Sequence, residues 1–393
     1  MAEKIKLAII STHPIQYNAP LFKLLSGSDL ILPRVFYTWS QSMEKVEDKD
    51  FGKTIQWDIP LLDGYEYEFV ENISNRPGTG HFSGMVNPGL IAAIRDWGAQ
   101  ALLVYGWNFK SHLKAMRYFK GRIPVFFRGD STLLDETGGY KQKLRRIFLK
   151  WVYRHTDYAF YVGTNNKRYF EKHGIPPARL FFAPHSIDNN RFYDHNGDYR
   201  EKAKVMRKEA GIPEDAILVA FTGKFQPKKD PLLLINAALH PDCRHLHFLF
   251  VGNGILEEQM RAASTGAGNI HFMGFRNQSE MPAVYYMADV ICLPSRGPGE
   301  TWGLVINEAM SCERAVVASS KTGCAIDLIE NGKNGYIFEA GNAEELTAKL
   351  SGLRTHEITA NMGAESRRII SSWSYEKTME GFEKGILTAF GKI

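Results

Sequence analysis

The stretch SRGPGETWGLVINEAMSCERAVVAS, residues 295–319, decides the architecture. The apolar run ADVICLPS (288–295) leads into it, a Gly- and Pro-containing loop follows, a helix begins near Trp302, and RAVVASS (314–320) is apolar again. Continuous apolar strands, unlike alternating ones, are buried on both faces. A strand–helix–strand series of this kind reads as a parallel sheet covered by helices.

The same alternation continues in both directions. Upstream lie KLAIIST (6–12), ILPRVFYTW (31–39), ALLVYGW (101–107), PVFFRGD (124–130), DYAFYVG (157–163), LFFAPH (180–185), AILVAFTG (216–223) and LHFLFVG (246–252), and downstream lies GYIFE (335–339). These form two series, so the expected fold is α/β with two Rossmann-like, doubly wound domains facing a central cleft. The polar, aperiodic stretch PHSIDNNRFYDHNGDY (184–199) marks the boundary. The expected domains are 1–186 and 187–373, with a terminal amphipathic helix over 374–393, N-capped by Ser374, completing the first. Residues 40–90 are weakly patterned and are expected to hold long loops.

A chain of 393 residues suits two cores. No apolar run approaches the roughly 18–20 residues that cross a bilayer. The N-terminus lacks the long apolar region of a signal peptide, so a cytoplasmic location is expected. Cys243, Cys292, Cys312 and Cys324 have no CxxC spacing, which argues against disulfides and zinc. A net charge of +5 suits a small anionic ligand or a membrane surface and is too weak to argue for nucleic acid.

The loop and helix after Ser295 carry the sharpest chemical signal. Thr301, Trp302, Gly303 and Leu304 stand where a helix N-terminus presents amides to phosphate oxygens at the carboxyl end of a strand. Glu300 and Glu308 are placed to accept paired hydroxyl donors on either side of such a diphosphate. In FTGKFQPKKDPLLLINA (221–237), Gly223 is followed by Lys224 and Lys229, two ammonium groups suited to a departing phosphate. Gly252 and Asn253, after the strand 246–252, allow close backbone approach to a nucleotide.

The spacing from Glu300 to Glu308 in ETWGLVINEAM resembles the E-x7-E signature of retaining glycosyltransferases of family 4, which have the GT-B fold. The similarity extends through AVVASSKTGCAIDLIENGKNGYIFEAGNAEELT (315–347) and MGFRNQSEMPAVYYMADVICLPS (273–295). The resemblance implies that Glu300 contacts donor-sugar hydroxyls, Glu308 the ribose, and Phe275 and Arg276 the base. It also implies that Lys224, where arginine is usual, and Lys229 hold the phosphates. The implied activity is metal-independent, retaining transfer of a hexose-type sugar from a nucleoside-diphosphate sugar, UDP favoured, without a cofactor. The acceptor would be a glycan, a lipid-linked or a small molecule, in polysaccharide or envelope synthesis. A non-catalytic nucleotide-sugar-binding regulator, an epimerase or a phosphorylase on the same scaffold are the alternatives. Glu313-Arg314-Ala315 and Gly323-Cys324 depart from the family pattern, so donor identity does not carry over.

In the first half, STHPIQYNAPLFKLL (11–25) lacks a dinucleotide-binding glycine fingerprint and instead sets His13, Gln16 and Asn18 at a strand end, as candidate acceptor contacts. Arg128 and Asp130 end another strand, as candidates to bind an anion and accept a proton. Both also suit a structural ion pair. The helix YKQKLRRIFLKWVYR (140–154) aligns Leu144, Ile147, Phe148 and Trp151 on one face among basic residues. Packing of that face against the protein is the expectation, with peripheral contact to an anionic inner-membrane face as the alternative.

Overall fold

The apolar runs become strands because buried β-branched and aromatic side chains cover both faces of a sheet. The computed structural model describes residues 3–40, 47–48, 53–54 and 58–392. The parts of the 40–90 expectation on 41–46, 49–52 and 55–57 lie outside the described residues. In chain order the strands begin with β1 (Ile5–Ser11), β2 (Ile31–Tyr37), β3 (Glu47–Asp48), β4 (Lys53–Thr54), β5 (Tyr67–Phe69), β6 (Ala101–Tyr105), β7 (Val125–Arg128), β8 (Tyr158–Tyr161) and β9 (Leu180–Phe182). They continue with β10 (Ile217–Thr222), β11 (Leu246–Val251), β12 (Ile270–Met273), β13 (Val290–Leu293), β14 (Ala315–Ser319) and β15 (Gly335–Phe338).

The chain forms two compact units. The first comprises Met1–Val46, Ile59–His185 and Tyr375–Ile393, and the second Glu47–Asp58 and Ser186–Ser374. Unit 1 holds a parallel sheet ordered β5-β2-β1-β6-β7-β8-β9. Unit 2 holds one ordered β12-β11-β10-β13-β14-β15, also parallel. In each, the chain winds outward in one direction, returns to the middle and winds out in the other. The direction switches between β1 and β6 in unit 1 and between β10 and β13 in unit 2. In doubly wound sheets that switch opens a crevice at the carboxyl ends of the strands.

Alternation along each strand divides the unit 1 core into two layers. Ala8, Ile10, Leu102, Val104 and Phe127 face one side, and Leu7, Ile9, Leu103, Phe126 and Phe160 face the other. The helix Tyr375–Ala389 returns from the chain end to cover the second layer with Phe382 and Ile386. Phe382 lies 4.5 Å from the Phe160 ring.

β5 and β12 carry no continuous apolar run, and their position allows it. Both are edge strands, where an apolar run is optional: the opposite edges β9 and β15 keep theirs, whereas β5 is exposed or half-buried and every residue of β12 is half-buried. One further expectation is refined and one corrected. The helix after β13 starts two residues after Trp302 and spans Leu304–Ser311, because Gly303 caps it at φ +96°, outside helical geometry. Thr301–Gly303 therefore form the turn before it. The helix Tyr140–Tyr153 packs through Leu149, Val152 and Tyr153. The face expected to pack is outward instead, with Leu144 62%, Ile147 67% and Phe148 43% exposed and Trp151 half-buried.

Candidate functional site

The residues singled out in the second half converge on the carboxyl ends of β10, β11 and β13. After β10, Gly223 adopts φ +140°. Its carbonyl lies where a side chain on Gly252 would stand, 2.0 Å from the Cβ position, so the ends of β10 and β11 close together only with glycine there. A Cβ on Gly254 would likewise meet the Phe225 carbonyl at 2.5 Å.

Lys229 and Glu300 come from the two sides of the switch point and meet, Nζ to Oε2 at 2.6 Å, with 17% and 8% of their side chains exposed. Ser295 Oγ, at the end of β13, donates to the same Glu300 oxygen at 3.1 Å. A mostly buried carboxylate so held has a fixed orientation, which a ligand-hydroxyl acceptor requires. Lys224 sits one residue after Gly223, at the end of β10, and is half-buried.

The Glu300 loop is fastened to the loop after β14. Gly323 N donates to the Glu300 carbonyl at 3.1 Å and Cys324 N to the Trp302 carbonyl at 2.9 Å. A Cβ on Gly323 would stand 1.8 Å from the Thr301 carbonyl, so the two loops touch only through glycine. On Gly303, it would meet Thr322 and Leu293 at 2.8 and 2.9 Å. The Trp302 indole is buried; it donates to Asn307 Oδ1 at 2.8 Å and packs on Trp373 at 5.5 Å. Trp302 thus supports the turn from within, and Thr301 is its half-buried neighbour. Leu304 opens the helix and is half-buried.

Glu308 is 3% exposed and accepts a hydrogen bond from the Tyr285 hydroxyl, which lies 3.3 Å from Thr222 Oγ1 at the end of β10. Asn253 is a brace: its Oδ1 accepts from Phe275 N at 2.9 Å and its Nδ2 donates to Glu257 at 3.0 Å. It thereby sets the loop that carries Phe275 and Arg276. Arg276 pairs with Glu280 at 3.1 Å and lines a hollow of about 470 Å³ with Lys202, Met206 and Phe272. Ser295, Tyr285, Asn307 and Gly323 thus support the site. The sequence marks them only weakly, because a helix such as Met281–Met287 carries Tyr285 as one apolar residue among many.

In unit 1, His13, Gln16 and Asn18 follow β1 at its switch point. His13 Nδ1 lies 2.9 Å from Thr12 Oγ1, and its ring meets Trp39 edge-on at 5.2 Å. Burial holds it down to about 4, so it is neutral at pH 7. Asn18 precedes the helix Ala19–Ser26 without a side-chain capping bond, and Gln16 is half-buried. Arg128 is 5% exposed, and its guanidinium donates to the carbonyls of Ala183 and Pro184 at 2.7 and 2.9 Å while lying over Phe382. That geometry ties β7 to the chain leaving β9. Burial lowers its pKa, opposed by Tyr105 and Asp130. His185 belongs to the same group and was not anticipated. Burial holds it down to about 4, against the pull of Asp130. The signal available was a histidine closing LFFAPH.

Glycine close approaches and a buried Lys229–Glu300 pair thus meet at the switch point of a doubly wound α/β sheet. Residues 202–368 match the family model described as "Glycosyl transferases group 1". The chain is 27% identical over 226 residues to the D-inositol 3-phosphate glycosyltransferase of Salinispora arenicola, covering 54% of this chain and 50% of that one. It thus spans about half the length of such curated relatives. Among solved structures, Anabaena HepE in complex with UDP aligns with a TM-score of 0.70 at 17% identity, covering 98% of this chain and 100% of that one. Sucrose-phosphate synthase from Thermosynechococcus elongatus aligns at 0.71 and 15% identity, covering 99% and 100%. The two Rossmann-like units are those of the GT-B fold.

Proposed function

We propose that the protein is a retaining glycosyltransferase that moves a hexose-type sugar from a nucleoside-diphosphate donor, UDP favoured, onto a glycan or lipid-linked acceptor. The observation that carries this reading is the Lys229–Glu300 pair across the β10–β13 switch point, inside the segment that matches the group 1 model. The UDP-bound HepE structure supports uridine as the base.

In this reading Lys224 and Lys229 neutralise the β-phosphate, in place of a metal, and the Thr301–Leu304 turn offers amides to its oxygens. Glu300 holds the sugar hydroxyls and Glu308, steadied by Tyr285, the ribose. The bond from the anomeric carbon to the β-phosphate oxygen breaks, and the acceptor oxygen bonds to the same face. The acceptor proton passes to the leaving phosphate. Strand ends of unit 1 carrying His13, Gln16, Asn18 and Asp130 supply the acceptor contacts. Arg128, already engaged with two carbonyls, shapes that end of the sheet. Polysaccharide or envelope glycan synthesis is the setting this reading proposes.

The test is UDP release from a panel of UDP-sugars with simple glycan acceptors, with the product's anomeric configuration read by NMR. Retained configuration, and loss of turnover in Glu300→Gln while UDP still raises the unfolding midpoint, supports the proposal. Inverted product, or full turnover in that variant, overturns it.

A further inference from the structure

The helix Tyr140–Tyr153 carries two apolar stripes on opposite sides, and the fold fully buries only one, the other touching the protein through Phe148 on Trp107 at 5.5 Å. Leu149, Val152 and Tyr153 point inward and are buried. Tyr140, Leu144, Ile147 and Phe148 run along the other side, where Tyr140 is 70% and Ile147 67% exposed. At 100° per residue these four fall within a sector about a quarter-turn wide. Such a row of large apolar groups on one exposed ridge is a contact surface in waiting, unlike scattered exposed leucines.

The surroundings say what the row meets. Lys143, Lys150 and Arg154 border it on one side and Lys141 and Arg145 on the other, all exposed. No acidic residue occurs from 140 to 154. The neighbouring helix Lys110–Phe119 also lacks acids and presents exposed Lys110, Lys114 and Arg117, with Arg117 lying over the Trp151 ring at 5.6 Å. An apolar ridge between two basic margins matches the anionic headgroup layer of a bilayer, with the acyl boundary below it. No helix among the described residues is long and apolar enough to cross a membrane.

We propose that the Tyr140–Tyr153 helix docks unit 1 on an anionic lipid surface, with Leu144, Ile147 and Phe148 entering the interface and the flanking lysines and arginines meeting the headgroups. The docking stands apart from the donor chemistry of unit 2.

The test is co-sedimentation of the full chain with phosphatidylcholine vesicles, with and without phosphatidylglycerol, at low and raised salt. The expected result is recovery with anionic vesicles only, weakened by salt. Leu144→Ser/Ile147→Ser and Lys143→Gln/Lys150→Gln should each reduce it by at least about tenfold. These side chains are exposed, so unfolding midpoints should not move. Three outcomes overturn the proposal: wild type staying in the supernatant, equal recovery on neutral vesicles, or undiminished binding by the serine variant. A dimer that Ile147→Ser dissolves would also overturn it, because a second copy would then cover the ridge. A UDP-induced shift in unfolding midpoint, measured on the same samples, separates the two readings. Lost vesicle binding with the shift intact sinks the membrane surface alone.

Discussion

At the scale of single residues, Glu300 and Lys229 hold each other in position. Replacing Glu300 by Gln removes the charge and keeps the shape, so folding should survive. The account expects kcat to fall by about 10²–10³-fold, the range for one preorganised polar group at a reacting centre, with UDP affinity changed only a few-fold. Steady-state kinetics beside calorimetric UDP titration separates these quantities. Gly252→Ala tests the backbone beneath them. Its methyl would stand 2.0 Å from the Gly223 carbonyl at a φ of +140°. The expected loss is about 2–4 kcal/mol, read from the urea midpoint. An unchanged midpoint would mean that the two strand ends part easily. Glu300, Glu308 and the lysines were legible in the sequence because motif spacing fixes them. Tyr285, Asn307 and Ser295 were not, because their roles depend on which strands become neighbours.

Among elements, the clearest case is the C-terminal helix, which the sequence marks as amphipathic and assigns to the first domain, while the side chains it packs against come only from the structure. Phe382 packs on Phe160, and a Cβ on Gly385 would meet that ring at 2.7 Å. Phe382→Ala should destabilise unit 1 by about 3–5 kcal/mol, visible in thermal unfolding; a loss below about 1 kcal/mol would contradict this packing account. The turn between β6 and the next helix is held by His112, whose Nδ1 donates to the Gly106 carbonyl at 2.9 Å and whose Nε2 lies 2.9 Å from Thr38 Oγ1. Burial holds His112 down to about 4. The unfolded chain takes up this proton near pH 6.5 and the folded chain resists it. Its contribution is therefore complete above about pH 6.5 and is lost as pH falls toward 4, at most roughly 3 kcal/mol. His112→Gln should flatten the stability profile in that window, though not wholly, since His13 and His185 are lowered in the same way. A profile as steep as wild type would exclude His112 as a contributor. The Tyr140–Tyr153 helix was legible as amphipathic, yet the sequence could not tell its inward stripe from its outward one.

Across the whole molecule, the two doubly wound sheets were legible because continuous apolar runs recur with helical segments between them. Edge strands β5 and β12 escaped because their residues stay half-buried or exposed and carry no continuous apolar run, unlike the opposite edges β9 and β15. In the second half the sequence candidates Lys229 and Glu300 also prove to be neighbours, whereas the first half was legible mainly as architecture. The candidate side chains there sit on loops with no fixed spacing, and His185 joins Arg128 and Asp130 only through the fold. The central claim is that a nucleoside diphosphate binds at the β10–β13 switch point of unit 2. Calorimetric titration of UDP into wild type and Lys229→Ala tests it most directly. Saturable one-site binding by the wild type, weakened at least about tenfold in the variant as a lost charge-assisted contact requires, is the predicted result. Absence of UDP binding in both, or equal affinity in the two, would contradict the account.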